Sequence, residues 1–423
     1  MIRAMGHNRL RSKAAVLAER NFRTFYTGYV TSQLGTWMST VAIAFAVLGT
    51  GASATGLGVV FAAAVVPQVL LMAFAGAVAD RFGRRRVMLG ADVLRCGAQA
   101  SLAVALLAGR PALWVFVLLA WLGGMGQAFF GPALSALTVE IAPHDKLSDA
   151  NAMYGLASSV TRIAGPALGG VLIAAAGSAG PAVAVAADAA TYAVSVLALS
   201  ALRLPARSEQ ATRESMLRDM ASGWAEVRSR TWLWVITVQF AFFNLITWAP
   251  WMLLGPVEGR AYLGGARVWG LILAVQGAGA IVGGTLSLGR RPSRPLIVAT
   301  IATFCYALPD IPMSLHGAAP WVAAAAFVSG VGSSVFLTFE STVIQQQVPP
   351  DKLARVSALS TFPAYGIGVI GYGIDGPLAA AFGAQAVFGV GAIYGLLSSA
   401  VVLAVPSVRA VRWRSPGTAD PAG

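Results

Sequence analysis

Charged residues are scarce in this 423-residue chain, where Asp, Glu, Lys and Arg together make up 11% of the sequence. A soluble domain carries roughly 25% charged residues, so this chain has too few charges to cover a water-facing surface of normal size. Cysteine and histidine are scarce as well, with two and three residues. Cys96 and Cys305 lie inside apolar runs, where they form neither a disulfide framework nor a metal-ligand cluster. The scarcity of such residues argues against a soluble enzyme, a metal site and a bound cofactor.

Apolar residues are abundant instead, at 57% of the chain. Runs of about 20 apolar residues recur along the sequence, and each is long enough to cross a bilayer as a helix. A membrane strand needs only about 10 residues of alternating polarity, so the runs predict helices. We therefore predict an all-α polytopic membrane protein with twelve transmembrane helices. The predicted spans are Phe25–Leu48, Leu57–Val78, Val87–Ala108, Ala112–Leu134, Ala152–Ala176, Ala182–Leu202, Trp232–Leu254, Val268–Leu288, Leu296–Leu315, Ala319–Ile344, Val356–Phe382 and Ala386–Val408.

The net charge of +13 is compatible with a nucleic acid or an anionic membrane as partner. The basic residues lie in short gaps between the predicted spans, which favours the lipid bilayer and argues against nucleic acid. If the N-terminus is inside, 25 of the 30 lysines and arginines fall on that side. Because inner loops are enriched in Lys and Arg, we predict that both termini are cytoplasmic. Arginine outnumbers lysine 27 to 3, which is compatible with a bacterial gene and an inner-membrane location.

The longest internal polar segment separates two groups of six predicted spans. It contains SMLRDMASGWAEVRS at Ser215–Ser229, whose apolar positions recur every three or four residues and predict an amphipathic helix lying on the cytoplasmic face. The halves echo each other, since IAPHDKL at Ile141–Leu147 is similar to VPPDKL at Val348–Leu353. We predict two pseudo-symmetric six-helix bundles. The predicted regions are a cytoplasmic N-terminus (1–24), a first bundle (25–203), a central cytoplasmic loop (204–231), a second bundle (232–408) and a cytoplasmic tail (409–423).

The loop between the second and third spans concentrates charge in the stretch GAVADRFGRRR. It resembles the signature loop of the major facilitator superfamily, and a degenerate copy without the Asp recurs at Arg290 and Arg291. RNFRTFYTGYVTSQLG at Arg20–Gly35 and the segment Phe129–Met153 resemble drug exporters of the enterobactin-exporter and macrolide-efflux type. The resemblance implies the major facilitator fold and a loop that helps lock one conformation; the alternative is a topology signal alone. The loop residues concerned are Gly76, Asp80, Arg81, Gly83, Arg84 and Arg85.

A second motif, TRIAGPALGG at Thr161–Gly170, lies in the predicted fifth span. Its proline removes a backbone donor, and its glycines allow kinking and close helix packing. It resembles an element that is associated with antiport in exporters of the superfamily. The alternative is ordinary packing of small residues. The motif residues are Arg162, Gly165, Pro166, Gly169 and Gly170.

Charged residues inside spans are candidates for coupling, because each costs roughly 2.5–3.5 kcal/mol at the bilayer centre without a partner. Asp92 and Arg95 are three residues apart on one helical face, which predicts a local pair. Arg162 has no carboxylate three or four residues away, and we predict Asp188 of another span as its partner. Glu340 is a candidate gate or interfacial residue.

Asp310 and Asp375 lie near the outer ends of their predicted spans, where interfacial solvation is the simpler expectation. The fourth span, Ala112–Leu134, contains no charge, although many proton-coupled exporters of the superfamily carry an arginine there. Either Arg95 or Arg162 takes that role, or coupling works differently.

Amides and aromatic residues inside the spans suit a bulky amphipathic ligand, although helix packing is the alternative for each of them. The candidate substrate-cavity residues are Trp37, Gln68, Gln127, Gln239, Phe243, Asn244 and Gln276. Together these features predict a monomeric exporter of small amphipathic molecules that is driven by protons. An importer or facilitator on the same fold, a non-transporting sensor and a membrane enzyme remain the alternatives.

Overall fold

The computed structural model describes residues 14–143, 146–203, 227–348 and 350–413. Helices and short connections account for these residues, with no strand among them. The first part contains a 3-10 helix at Ala14–Ala18, α1 (Arg20–Gly49), α2 (Ala54–Phe82), α3 (Arg84–Ala108), α4 (Leu113–Ile141), α5 (Leu147–Ala175), a 3-10 turn at Gly177–Ala179 and α6 (Gly180–Ser200).

The second part is built in the same way but with more interruptions. Its elements are α7 (Thr231–Phe243), a π-helical turn (Asn244–Trp248), α8 (Ala249–Glu258), a second π-helical turn (Gly259–Leu263), α9 (Gly265–Ser287), α10 (Pro295–Tyr306), α11 (Asp310–Ser314), α12 (Ala319–Gln347), α13 (Pro350–Phe382), α14 (Ala384–Ala404) and α15 (Pro406–Ala410).

Eleven helical segments of the described chain are long and apolar enough to cross a membrane. A further apolar helix, Gly366–Phe382, is shorter and forms part of α13 at the position of the predicted eleventh span. These segments confirm the all-α, multi-span prediction, with eleven candidate spans and this shorter helix in place of twelve full spans. The predicted amphipathic helix at Ser215–Ser229 lies outside the described residues except for its last three.

Large apolar side chains cover the outside of the helices. Trp321 and Phe382 are each 72% exposed, and Leu107 and Trp114 are each 66% exposed. A water-soluble protein rarely exposes apolar surface on this scale. In a bilayer the same side chains lie against acyl chains, where their exposure carries no free-energy penalty. The surface therefore agrees with the hydropathy of the sequence.

The described residues form two compact units. The first contains the described residues of Met1–Ala211 together with Gly255–Ala274, and the second contains those of Thr212–Leu254 and Val275–Gly423. The seventh span, Thr231–Leu263, therefore contributes to both units. The divisions between them inside helices fall after Leu254, in α8, and after Ala274, in α9.

Each unit has an aromatic cluster in its core. In the first, the ring of Tyr154 lies 5.1 Å from that of Tyr29 and 5.6 Å from that of Phe22. In the second, the ring of Phe243 lies 4.7 Å from that of Tyr306 in an edge-to-face arrangement. Such pairs add a directional term to close packing. They fix how the helices of each unit are rotated about their axes.

A proline explains the first π-helical turn of the seventh span. Pro250 has no N–H, so the carbonyl of Ile246 lacks its usual α-helical donor four residues later. In the turn just before the proline, Asn244–Trp248, the N–H of Ala249 bonds to the carbonyl of Asn244 five residues earlier. A π turn accommodates one extra residue and occurs often at functional sites. The helix is therefore locally widened on the N-terminal side of Pro250.

Close packing of α4 on α2 depends on a glycine, and this dependence can be tested. A Cβ at Gly124 would lie 2.9 Å from Pro67 Cγ and would overlap the carbonyl of Ala64, whereas a Cβ at the adjacent Gly123 would meet nothing within 4 Å. We expect Gly124→Ala to lower the stability of the purified protein in detergent by about 1–3 kcal/mol, because the helices must separate. The midpoint of thermal unfolding measures this effect.

Gly123→Ala is the matched control. It gains the same helix propensity, worth about 1 kcal/mol, without a clash, so its unfolding midpoint should stay the same or rise. Equal midpoints for the two variants would contradict the packing argument.

Candidate functional site

A buried polar cluster occupies the interior of the first unit. α3 carries Asp92, Arg95 and Gln99 on one face, at spacings of three and four residues. Asp92 is 0% exposed and Arg95 is 3% exposed, and their side chains form an ion pair. Ser195 of α6 donates a hydrogen bond of 2.6 Å from Oγ to Asp92 Oδ2. The local pair that the spacing predicted is therefore present, buried and joined to a second helix.

Arg95 also contacts α4 and α6. Its Nη1 donates to Gln127 Oε1 at 2.7 Å. Its guanidinium carbon lies 4.4 Å from the ring centre of Phe130 and 4.6 Å from that of Tyr192. Rings on both sides of a guanidinium stabilise its charge where water is absent. Gln127, a candidate substrate-cavity residue, thus bonds to the arginine of the cluster.

Asp188 of α6 forms the other acidic end of the cluster. It is 0% exposed. Gln99 Nε2 donates to its Oδ2 at 2.8 Å, and Thr191 Oγ1 donates to its Oδ1 at 3.2 Å. A Cβ at Gly35 of α1 would overlap the carboxylate, so the α1 backbone lies directly against it. Asp188 is therefore held by uncharged donors in a closed pocket.

Several members of the cluster were not singled out from the sequence. They are Gln99, Phe130, Thr191, Tyr192 and Ser195. Tyr192 lies four residues after Asp188, and Ser195 lies three residues after Tyr192. This spacing places all three on one face of α6. That spacing was the available signal, and it is visible only after Asp188 is chosen as the reference.

The arginine-rich loop ties helix ends of the first unit together. Gly83, at φ +88°, is the turn between α2 and α3 and adopts a conformation that side chains rarely permit. Arg84 Nη1 donates to Glu140 Oε1 at the end of α4, at 2.8 Å. Arg85 donates through Nε to the Leu199 carbonyl at 2.7 Å, at the C-terminal end of α6. These contacts connect the loop to two other helices.

The remaining loop residues contribute less to this arrangement. Arg81 is exposed, with its guanidinium 5.6 Å from the ring centre of Phe82. The side-chain environments of Gly76 and Asp80 lie outside the described part of the structure. The proposed conformational role of Asp80 therefore stays a prediction.

The expected partnership of Arg162 with Asp188 is wrong for this conformation. Within the described residues the two form no ion pair, and Asp188 is held by Gln99 and Thr191. Arg162 is exposed, and its guanidinium lies 5.2 Å from the ring centre of Trp37. The ring of Trp37 contributes a cation–π interaction to this arginine.

The glycines of the second motif serve close packing. A Cβ at Gly165 would overlap the Cβ of Trp37, and one at Gly169 would lie 2.6 Å from the Met38 carbonyl. A Cβ at Gly170 would lie 2.7 Å from the carbonyl of Ala266, which belongs to the same unit. α5 continues through Pro166. The packing interpretation of the motif therefore holds here, and its association with antiport stays a prediction.

The candidate substrate-cavity residues do not meet at one site within either unit. Gln68 donates to the carbonyl of Ala64 in its own helix. Gln239 and Phe243 line a cavity of about 10 Å³, which is room for roughly one water molecule. Asn244 donates to the Phe240 carbonyl, and Gln276 Nε2 donates to Ser329 Oγ at 3.3 Å. Gln68 and Asn244 therefore bond within their own spans, whereas Gln276 of α9 bonds to α12.

Acidic residues of the second unit differ from those of the cluster. Asp310 and Asp375 are 1% and 3% exposed, so the expectation of interfacial solvation is wrong for both. The Oδ2 atom of each has no hydrogen-bond partner among the described residues. The half-buried Glu340 of α12 likewise forms no hydrogen bond or ion pair within the described part of the chain. The expectation failed because distance from a helix end does not determine which face a residue occupies.

Comparison with known proteins agrees with the fold and with the motifs. Residues 11–412 match the transmembrane secretion effector family. The chain is 27% identical over 399 residues to the multidrug efflux pump Tap of Mycolicibacterium fortuitum, covering 90% of this chain and 94% of that protein. It is 22% identical over 348 residues to macrolide efflux protein A of Streptococcus pyogenes, covering 80% and 84%.

Solved structures show the same architecture. A bacterial homologue of the human lysosomal transporter Spinster has a TM-score of 0.71 at 14% identity, covering 94% of this chain and 98% of that chain. The D-xylose–proton symporter has a TM-score of 0.68 at 13% identity, covering 94% and 100%. At such identities the likeness concerns the fold alone. Because the family match extends over nearly the whole chain and the fold agrees with it, this chain is a membrane transporter of the transmembrane secretion effector family, within the major facilitator superfamily, and not an enzyme.

Proposed function

We propose that the chain exports small amphipathic molecules in exchange for protons, by alternating access of two six-helix halves. The names of its relatives support export, since both are efflux proteins and one is a macrolide efflux protein. Residues of the buried cluster in the first unit support proton coupling. The proposal includes a monomer in a bacterial inner membrane with both termini cytoplasmic. The distribution of the basic residues supports this orientation.

One observation carries the proton-coupling proposal: the cluster contains two carboxylates and one guanidinium. Arg95 forms an ion pair with Asp92, whereas Asp188 is held by the neutral side chains of Gln99 and Thr191. An unbalanced negative charge is costly in a low-dielectric interior. Binding one proton at Asp188 removes that charge without breaking the ion pair. Release of the proton restores the charge and favours a conformation in which water or a cation reaches the carboxylate.

The first prediction concerns Asp188→Asn. Its amide oxygen can accept from Gln99 Nε2 and its amide NH2 can donate to Thr191 Oγ1, so the protein should fold while losing the proton-binding group. In inverted membrane vesicles with an imposed pH gradient, the variant should lose gradient-dependent substrate uptake. The substrate for this assay is selected by a susceptibility screen with macrolides and other amphipathic antibiotics in an efflux-deficient host.

Asp149→Asn is the control, because this carboxylate lies in the first turn of α5 and outside the cluster. It should keep full gradient-dependent uptake. Unchanged uptake by Asp188→Asn would assign the proton to another group, and gradient-independent uptake by the native protein would reject antiport. If expression of the native protein raised the accumulation of substrate in intact cells, the result would instead support an importer.

Asp92→Asn tests whether the ion pair of the cluster is needed for folding. It leaves Arg95 buried without its ionic partner, and breaking a buried pair in this way costs about 3–5 kcal/mol. We therefore expect Asp92→Asn to lower the amount of folded protein, measured by fluorescence-detected size exclusion. Asp188→Asn should not lower it.

The loop contact yields a second functional prediction. Arg84 and Glu140 are 23% and 31% exposed, and such pairs contribute about 0.2–1 kcal/mol. Arg84→Glu places like charges together and should lower the transport rate severalfold if the contact stabilises one working conformation. The exchanged double variant Arg84→Glu/Glu140→Arg should recover most of the rate.

Arg86→Glu is the matched control, because Arg86 is exposed and forms no hydrogen bond or ion pair within the described residues. Its transport rate should fall much less than that of Arg84→Glu. Equal losses for the two variants, with no recovery in the exchanged pair, would mean that the loop acts through its net charge. Membrane insertion is measured in parallel for every variant.

A further inference from the structure

A cavity of about 430 Å³ lies within the second unit. The π-helical turn and the start of α8 form one wall, with Leu245, Ile246 and Pro250. The last turns of α13 and the first turns of α14 form the rest. The volume falls within the range of about 300–1,000 Å³ that small-molecule sites occupy.

Asp375 supplies the charged group of this cavity. The other described residues that line it are apolar. Asp375 is 3% exposed, and its Oδ2 atom has no hydrogen-bond partner among the described residues. The carboxylate lies over Gly371, since a Cβ there would be 3.5 Å from Oδ2. A buried acceptor without a donor is expensive unless a bound partner supplies one.

The predicted duplication places Asp375 opposite a glycine of the first half. The offset of 206 residues that relates Gly165 to Gly371 also relates Gly169 to Asp375. In the first unit, Gly169 packs against the backbone of α1 at Met38. A glycine is therefore sufficient for helix packing at this position of the first unit. Packing gives no reason for an aspartate at the corresponding position, Asp375.

The cavity borders an apolar surface. Phe382 is 72% exposed and Val390 is 58% exposed, and both line it. In a membrane protein such side chains lie against lipid, so a ligand that reaches this cavity does so from the acyl-chain region. A molecule that partitions there and also supplies a cationic donor is an amphipathic amine.

We infer that the cavity binds the protonated amino group of an amphipathic amine at Asp375 Oδ2, with the apolar body of the ligand against the π-helical turn and α14. An ammonium group supplies three hydrogen-bond donors and the opposite charge. Ligands with this chemistry include free amphipathic amines and lipids with an amino head group. The inference concerns binding and holds whatever the direction or energy source of transport.

The test measures equilibrium binding to the full-length purified protein in phosphatidylcholine nanodiscs. The probe is N-dansylcadaverine, a fluorescent amphipathic primary amine, and its N-acetylated form is the neutral analogue. We expect the amine to bind the native protein at least tenfold more tightly than the analogue. Asp375→Asn should weaken amine binding about tenfold or more and should remove the preference for the amine.

Two further variants keep the test independent of folding defects. Ala386→Trp retains Asp375 and fills the cavity, and it should also weaken amine binding. Asp310→Asn changes another buried aspartate of the same unit that does not line the cavity, and it should bind the amine as the native protein does.

Replacing part of the phosphatidylcholine by phosphatidylethanolamine identifies the source of the amine. Displacement of the probe from the native protein assigns the site to a lipid amino group, and retention of the probe assigns it to free amines. Equal affinity of the native protein for the amine and its analogue would overturn the inference, as would equal amine affinity in Asp375→Asn. Loss of export with intact Asp375-dependent binding would refute the proposed transport function and leave this site standing.

Discussion

The constraint on which the first unit depends is that a charge inside a bilayer must be enclosed by partners. Arg95 meets it with an ion pair to Asp92, an amide oxygen from Gln127 and two aromatic rings. These partners come from α3, α4 and α6, so the arginine fixes the rotation of three helices at once. Because lipid tails are as apolar as the helix surfaces, the hydrophobic effect contributes little to helix association in a bilayer. Association depends instead on small residues and polar contacts. A polar cluster in this position is therefore structural as well as chemical.

The second unit meets the same constraint only in part. Its buried carboxylates at Asp310 and Asp375 each have one oxygen without a hydrogen-bond partner among the described residues. The two units therefore differ in how their buried carboxylates are paired. In the first unit both carboxylates of the cluster accept hydrogen bonds, whereas in the second unit Asp310 and Asp375 each have one oxygen without a hydrogen-bond partner among the described residues.

Much of the fold was predictable from the sequence, because hydropathy and span length are properties of single segments. The Asp92–Arg95 pair was predictable for the same reason, since both residues lie on one helix. The partner of Arg162 was predicted wrongly, because pairing between helices depends on their rotation. Arg162 lies on the exposed face of α5, whereas Asp188 faces α1 and α3. Gln99 was not among the amides predicted to line a site, because its role depends on its contact with Asp188 of a neighbouring helix.

The seventh span shows how a local sequence feature leads to a site. Pro250 removes the donor for the carbonyl of Ile246, and the preceding turn widens to a π helix. The widened turn carries Leu245 and Ile246, which form one wall of the cavity that Asp375 faces. A straight α-helix at this point would leave out the extra residue and shift the side chains that follow it by about 100° around the axis. The wall would then be formed by different side chains. The shape of the cavity therefore depends on Pro250, whereas the charge in the cavity comes from Asp375, more than a hundred residues later in the chain.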